Sequence, residues 1–532
     1  MEEWMDFTMA ELESLLEFVG IELADAKIEW SSENPLFVFL DIPTEDIVSK
    51  ICSRSILIKK VYLVWAASDN LTDLVGSTRQ LYESKSELIL PFTKSTEMSF
   101  CIDVVSHNRS LSMEEKERLR NHFKFLDFMG PVNIKNPDTT IALILDYSKF
   151  LRELQDGSFM ESNPEFPVIP CYYGRLIGIG GMRDETRKYN LKKRLYLGPT
   201  SLDHNLAMIM ANLAGIKENH MVLDPFVGTA SILVAASHHK AICTGADIDL
   251  RVLKGLMYAG SKSHELSTAA VKESQYQGKP FSRDIFETFR DYDLKVPELI
   301  RMDLHCLDKH IHMLDDCEGI YDAIVTDPPY GIRAGGRKTG NSKYSGTSYS
   351  ISKEKRHDHI PSTQNYPVEE VMLDLLHASA KLLVMGGILV YLIPTPYDFE
   401  TTDLPVHPCL ETKKVCLQQL STRHGRHAVV LKKTKKFTSE TEELFNVYKS
   451  RVLEGNDDGF GLLMDKLTKA LAPDAFDNDD VIKRSSKLAT KRRKSKLTRQ
   501  ELRKATPIDT AGGLSEFSEL SLDQVVVDEK AI

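Results

Sequence analysis

Tyr321-Asp322-Ala323-Ile324-Val325-Thr326-Asp327-Pro328-Pro329-Tyr330 is the stretch on which the reading of this chain turns. Ala323, Ile324 and Val325 form a short, largely β-branched apolar run, the pattern of a strand buried on both faces of a parallel sheet. The strand has to end there. Neither Pro328 nor Pro329 can donate to a ladder, and each restricts the residue before it to extended geometry. Asp327 and Tyr330 are therefore expected just beyond the carboxyl end of the strand, where open α/β sheets bind their ligands. An exocyclic amine on a nucleobase is a poor nucleophile. A carboxylate that accepts from its N–H offsets charge developing on the nitrogen, and an aromatic face holds the base by stacking. Asp327 is the candidate acceptor and Tyr330 the candidate platform, with Pro328 and Pro329 as the rigid elbow between them. As a bare tetrapeptide, Asp-Pro-Pro-Tyr also fits a sharp turn after a core strand.

The preceding residues decide between these readings. Val222-Leu-Asp224-Pro-Phe-Val-Gly228-Thr-Ala230 reads as a strand ending in an acid, then a turn in which Gly228 lets backbone approach a ligand, then a helix over residues 231–237. The next strand, over residues 241–246, ends at Asp247. The two acids stand 23 positions apart, close to the roughly 20 that bring a carboxylate to a ribose in dinucleotide folds. Asp224, however, stands where a pyrophosphate would sit, and a carboxylate repels phosphate while attracting an ammonium or sulfonium. The cofactor implied is a nucleoside with a cationic tail, S-adenosylmethionine. A third strand, over residues 298–302, leads to Asp303, placed to receive an adenine amino group. Three strand-end acids followed by Asp-Pro-Pro-Tyr point to a methyltransferase.

The chain has 532 residues and a net charge of −10. That length suggests two or three domains, and the charge argues against a surface that clamps nucleic acid everywhere, leaving local patches to meet phosphate. No apolar run approaches the roughly 20 residues of a membrane span. The acidic start, Met1-Glu-Glu-Trp-Met-Asp6, is unlike a secretory or mitochondrial leader. Eight scattered cysteines without a Cys-x-x-Cys pair read as reduced thiols, with no zinc site and no disulfide framework. Together these place the chain in the cytoplasm or nucleus.

Upstream, residues 7–64 look like a small α/β unit. A second unit ends in Pro131-Val-Asn-Ile-Lys-Asn-Pro-Asp-Thr-Thr-Ile-Ala-Leu-Ile-Leu145, read as a strand, a proline turn and a second strand. That run resembles the closing segment of a THUMP domain, an RNA-binding module of RNA-modifying enzymes, which implies tRNA binding; on physics alone it is a hairpin with Lys135 near its tip. Farther along, Asp224-Pro-Phe-Val-Gly-Thr, Gly245-Ala-Asp-Ile-Asp and Thr326-Asp-Pro-Pro-Tyr-Gly-Ile-Arg-Ala-Gly-Gly-Arg-Lys-Thr-Gly340 resemble the eukaryotic tRNA guanosine-10 N2-methyltransferase catalytic subunit. The resemblance implies an α/β fold: a class I, Rossmann-like methyltransferase sheet after an N-terminal THUMP-containing region. It also implies methyl transfer from S-adenosylmethionine to guanine N2 of a tRNA, and pairing with a small zinc-binding activator subunit. Asp224, Gly228, Asp247, Asp303 and Asp327 match the family's cofactor and catalytic positions. Ala230 departs from it, since relatives commonly carry glycine there, and its methyl group is expected to crowd the turn.

The expected domains are 1–160 for the N-terminal region, 161–195 for a linker, 196–436 for the methyltransferase and 437–532 for a charged, largely disordered tail that opens with a helix from Glu440 to Arg451. Gly178-Ile-Gly-Gly181 reads as a strand-to-loop exit and not a phosphate loop. The basic run from Arg187 to Arg194 suits either a phosphate contact or a solvated linker. The long loop over residues 331–366, with Arg333, Arg337, Lys338, Tyr344 and Tyr349, reads as a tRNA-side lid or as plain disorder. Lys491-Arg-Arg-Lys494 suits a nuclear signal, a tRNA contact or a solvated tail. Two rival functions share these features: adenine N6 methylation on another RNA or on DNA, and non-catalytic tRNA binding over a relic cleft.

Overall fold

The computed structural model describes residues 4–31, 34–148, 169–198, 201–255, 284–309, 311, 318–330, 335–340, 352, 362–420, 424–455 and 459–471. Within them the chain forms two compact units.

The smaller unit carries β1 (Glu29–Ser31) and β2 (Asn34–Phe39) as an antiparallel pair. Its main sheet holds β3 (Lys60–Ser68), β4 (Phe100–His107), β5 (Thr139–Asp146) and β6 (Cys171–Ile179) in the order β3-β6-β5-β4. Two expectations are corrected here. Residues 171–179, placed in the linker, form the strand between β3 and β5. Cys171 and Tyr173 alternate into the core, and Tyr173 stacks on Phe123 at 4.1 Å. The hairpin expected over residues 131–145 is absent. Only β5 is a strand, and it runs parallel to β4. Pro131 to Asn136 make a turn instead, because the Asn133 side chain accepts from the Lys135 and Asn136 N–H groups and donates to the Asn136 carbonyl, diverting them from a ladder.

The larger unit holds a seven-stranded sheet. Its strands are β7 (Met221–Asp224), β8 (Ile242–Asp247), β9 (Glu298–Arg301), β10 (Tyr321–Thr326), β13 (Leu383–Pro396), β14 (Leu410–Gln419) and β15 (His424–Lys433), and a separate two-stranded hairpin is formed by β11 (Arg337–Thr339) and β12 (Thr363–Asn365). The order is β14-β15-β13-β10-β7-β8-β9, parallel from β13 to β9, with β14 and β15 antiparallel at one edge. Ala323 and Val325 face one buried cluster with the helices His204–Leu213 and Ser231–His238. Ile324 faces the other with the helix Val368–Leu382. A strand buried on both faces explains the unbroken apolar run at the heart of the sequence.

This unit reaches beyond the expected 196–436 at both ends. The helices Ser439–Leu453 and Phe460–Leu471 bury Phe445, Phe460 and Leu463 in the second cluster, so the expected tail begins with ordered structure. Residues 472–532, with the Lys491 to Lys494 cluster, lie outside the described residues. At the other end, Met1–Asp25 and Ser53–Leu57 belong here and not to the N-terminal unit. The tie is a polar one. Glu11, on the helix Met5–Val19, accepts from the Ser55 hydroxyl, the Ile56 and Leu57 N–H groups and the Asn212 amide at 2.7–3.1 Å. Arg54 donates to the Asn212 side-chain oxygen and to the Ile216 carbonyl. Burial pushes the Glu11 pKa up, and these donors work against that push. Asn212→Ala strips a donor from Glu11 and an acceptor from Arg54, both buried. It is expected to lower the stability of this unit by about 2–4 kcal/mol, read as a shift of its denaturant midpoint, and an unmoved midpoint would remove this pin from the account.

Candidate active site

Each acid is set by its strand. Asp224 is the last residue of β7 and Asp247 the last of β8. Asp303 follows β9 by two residues, and Asp327 follows β10 directly. The turn after β7 lies across β8. A Cβ on Gly245 would come within 2.7 Å of Val227, so glycine is what lets the turn pack there. Gly228 takes a left-handed φ of +47° and donates its N–H to Asp247 Oδ2 at 3.2 Å, which joins the two strand ends. Ala230 is also left-handed, at φ +64°, and its methyl is fully buried in the core instead of crowding the ligand side. The left-handed strain of about 1 kcal/mol is therefore set against a methyl burial of similar size.

Asp224, Asp247 and Asp327 share one electrostatic environment. Burial pushes the Asp224 carboxyl up to about 7. The Thr326 hydroxyl at 2.7 Å and the Phe226 N–H at 3.1 Å counter this, while the charges of Asp327 and Asp247 add to it. Asp247 is raised to about 6 by burial, against the N–H groups of Asp249 and Gly228. Asp327 is also raised to about 6 by burial, with Arg426 pulling the other way. Among the described residues, none of these three forms a salt bridge with a lysine or arginine. Three carboxyls whose charged forms are destabilised by burial, and which form no salt bridge among the described residues, make a site that a cationic ligand would stabilise in its ionised form.

The elbow carries a second observation. Asp327 Oδ1 and the Tyr330 hydroxyl are buried and have no hydrogen-bond partner among the described residues. Unpaired buried acceptors are costly and mark places where a ligand completes the bonding. Pro328 is buried and Tyr330 packs against the first core cluster, which fixes the direction of both polar atoms.

Asp303 is differently engaged. Its Oδ1 accepts the His305 N–H at 3.1 Å and its Oδ2 the Thr339 N–H at 2.7 Å, so it also holds the base of the β11–β12 hairpin. That hairpin carries Arg337 and Lys338. Arg333, Tyr344, Tyr349 and most of the expected lid lie outside the described residues. Sequence reasoning missed Thr326 as a partner of Asp224, although it stands next to Asp327. It also missed Arg426, on β15, whose influence on Asp327 has no local sequence signal.

A parallel sheet in this order, with an antiparallel hairpin at one edge and carboxylates at the strand ends, is that of a class I methyltransferase. The family description "RMKL-like, methyltransferase domain" matches residues 192–366, and "Tmrp11 THUMP N-terminal domain" matches residues 1–158. Over 444 residues the chain is 32% identical to the tRNA (guanine(10)-N(2))-methyltransferase TRMT11 of Homo sapiens, covering 83% of this chain and 88% of that one. The Dictyostelium discoideum protein of the same name is 32% identical over 456 residues, covering 81% and 80%. The solved structure of TrmN from Thermus thermophilus is more distant, at 14% identity and a TM-score of 0.34 over 80% of this chain and 95% of that one. The chain belongs to the tRNA (guanine(10)-N(2))-methyltransferase TRMT11 family.

Proposed function

We propose that this protein methylates the exocyclic N2 of guanosine 10 in tRNA, using S-adenosylmethionine. The observation that carries this reading is the buried Asp327 Oδ1, unpartnered among the described residues, beside Asp224 and Asp247, whose carboxyls burial raises to about 7 and about 6. The residues present fit that donor: Asp224 for the cationic end of the tail, the Gly228 turn for close approach, Asp247 for ribose hydroxyls and Asp303 at the adenine end. When bound, S-adenosylmethionine supplies an electrophilic methyl on a sulfonium. Tyr330 stacks on the guanine, and Asp327 accepts one N2–H, offsetting the positive charge that grows on nitrogen as it attacks. The THUMP-containing unit supplies tRNA contacts away from the reacting base.

We assign the chain to a heterodimer with a small zinc-binding activator. The sheet edge at β9 supports this, since Ile242, Val296 and Ile300 are exposed large apolar side chains in and around β8 and β9. Action in the cytoplasm, with access to the nucleus, is part of the same proposal.

Nucleoside analysis tests the reaction. tRNA from cells lacking the protein is expected to lose N2-methylguanosine at position 10 and to regain it when the full chain is restored. An unchanged N2-methylguanosine level, with N6-methyladenosine lost instead, would reassign the substrate.

A further inference from the structure

Arg194 closes the basic run that the sequence left as either a phosphate contact or a solvated linker, and it is neither. The side chain is 4% exposed, inside the larger unit. Its Nη1 donates to Ser231 Oγ at 2.5 Å, and Ser231 is the first residue of the eight-residue helix that follows the Asp224 to Ala230 turn. The Nε and Nη2 atoms are buried, and among the described residues neither has a hydrogen-bond partner in good geometry and no carboxylate lies within salt-bridge distance of the guanidinium. Burial, the largest influence, opposes its charge, while Tyr292, whose hydroxyl lies near enough to interact with the guanidinium, and Asp203 favour it.

Two helix N-termini meet at this point. Asp203 caps the helix His204–Leu213 through the Asn205 and Leu206 N–H groups, and the Ser201 hydroxyl meets the Thr229 hydroxyl at 2.8 Å across to the other helix. A buried guanidinium with two idle donors at the positive end of a helix calls for an anion. The inorganic alternative, phosphate, is disfavoured by the acids at the ends of β7 and β8. A zwitterion satisfies both demands, with its cationic part toward Asp224 and its carboxylate toward Arg194.

We propose that Arg194 is the group that binds the carboxylate of the cofactor's amino-acid tail. This rests on the reading of S-adenosylmethionine as the methyl donor. The test compares S-adenosylmethionine with decarboxylated S-adenosylmethionine, which differs only in the carboxylate, by calorimetry on the full-length chain. Wild type is expected to prefer the intact donor by on the order of 100-fold, Arg194→Met to bind it about 100-fold more weakly and the decarboxylated form within about threefold of wild type. Arg194→Lys keeps the charge without the planar fork, so its preference should fall between the two. Equal losses for both ligands in Arg194→Met, or no loss for either, would overturn the proposal. If Arg194→Met does not fold, an undiminished preference in Arg194→Lys overturns it instead. Failure of wild type to bind either ligand would count against the donor itself, a different result from failure of Arg194.

Discussion

Asp327→Ala is expected to lower the single-turnover rate of methyl transfer about a thousandfold or more, with affinity for S-adenosylmethionine kept within about threefold. The split follows from position. Asp327 stands past β10 on the diproline elbow, and its Oδ1 has no hydrogen-bond partner among the described residues. That oxygen therefore gives up no bond to the described residues and has an N–H to gain from the base. Asp224 and Asp247, at the ends of neighbouring strands, keep the donor's cation and ribose contacts in the variant. Losing the Asp327 charge also removes one influence that raises Asp224, which offsets the attraction for the donor's cation lost with that charge. Asp327→Asn keeps a neutral acceptor oxygen and should lose less, on the order of 100-fold. Because burial raises Asp327 to about 6, wild-type kcat/KM should rise with pH through that region, as the carboxyl becomes able to accept. A wild-type rate in Asp327→Ala, with the donor bound, would remove this carboxylate from the chemistry.

The features that were legible in the sequence are those written locally. Ala323 to Val325 announce a doubly buried strand, and Pro328 and Pro329 announce where it stops; Asp224 and Asp247 close their strands after short apolar runs of the same kind. What was hidden depends on partners distant in the chain. Glu11 is held by residues 44 to 201 positions away, so nothing local to the first helix marks it as lying outside the N-terminal unit. Arg426 influences Asp327 only because β15 lies beside β13 and β13 beside β10. Arg194 looked like one more basic residue in a solvated run, since nothing in Lys192-Lys193-Arg194 marks which side chain turns inward. The strand Cys171–Ile179 was legible as the run leading to the Gly178 exit, but not its place in the N-terminal sheet, because turn-rich residues precede it. Its burial is decided by β3 and β5 on either side, which single-segment reasoning does not see.

Donor binding is expected to be coupled to proton release at Asp224. Its carboxyl has a pKa of about 7 in the folded protein, against an ordinary value of 3.8. The folded, ligand-free protein therefore holds a proton there that the unfolded chain gives up, and its stability falls as pH rises from about 4 to about 7. Binding the donor's cationic tail reverses the preference, because the ionised carboxylate attracts it and the neutral acid does not. Below pH 7 the proton has to leave first, so affinity should fall nearly tenfold for each pH unit lowered, and more steeply once Asp247, at about 6, also begins to hold its proton. Calorimetry at pH 7 in two buffers of different ionisation enthalpy should show about half a proton released per donor bound. Asp224→Asn should weaken binding at pH 8 by on the order of 100-fold and flatten the dependence between pH 7 and 8. Whatever slope survives in that variant belongs to the donor's own amine, which titrates near 8. An affinity in wild type that is level from pH 6 to 8 would mean that Asp224 stays ionised without its ligand, and the strand-end acids would then need a counter-ion that the described residues do not provide.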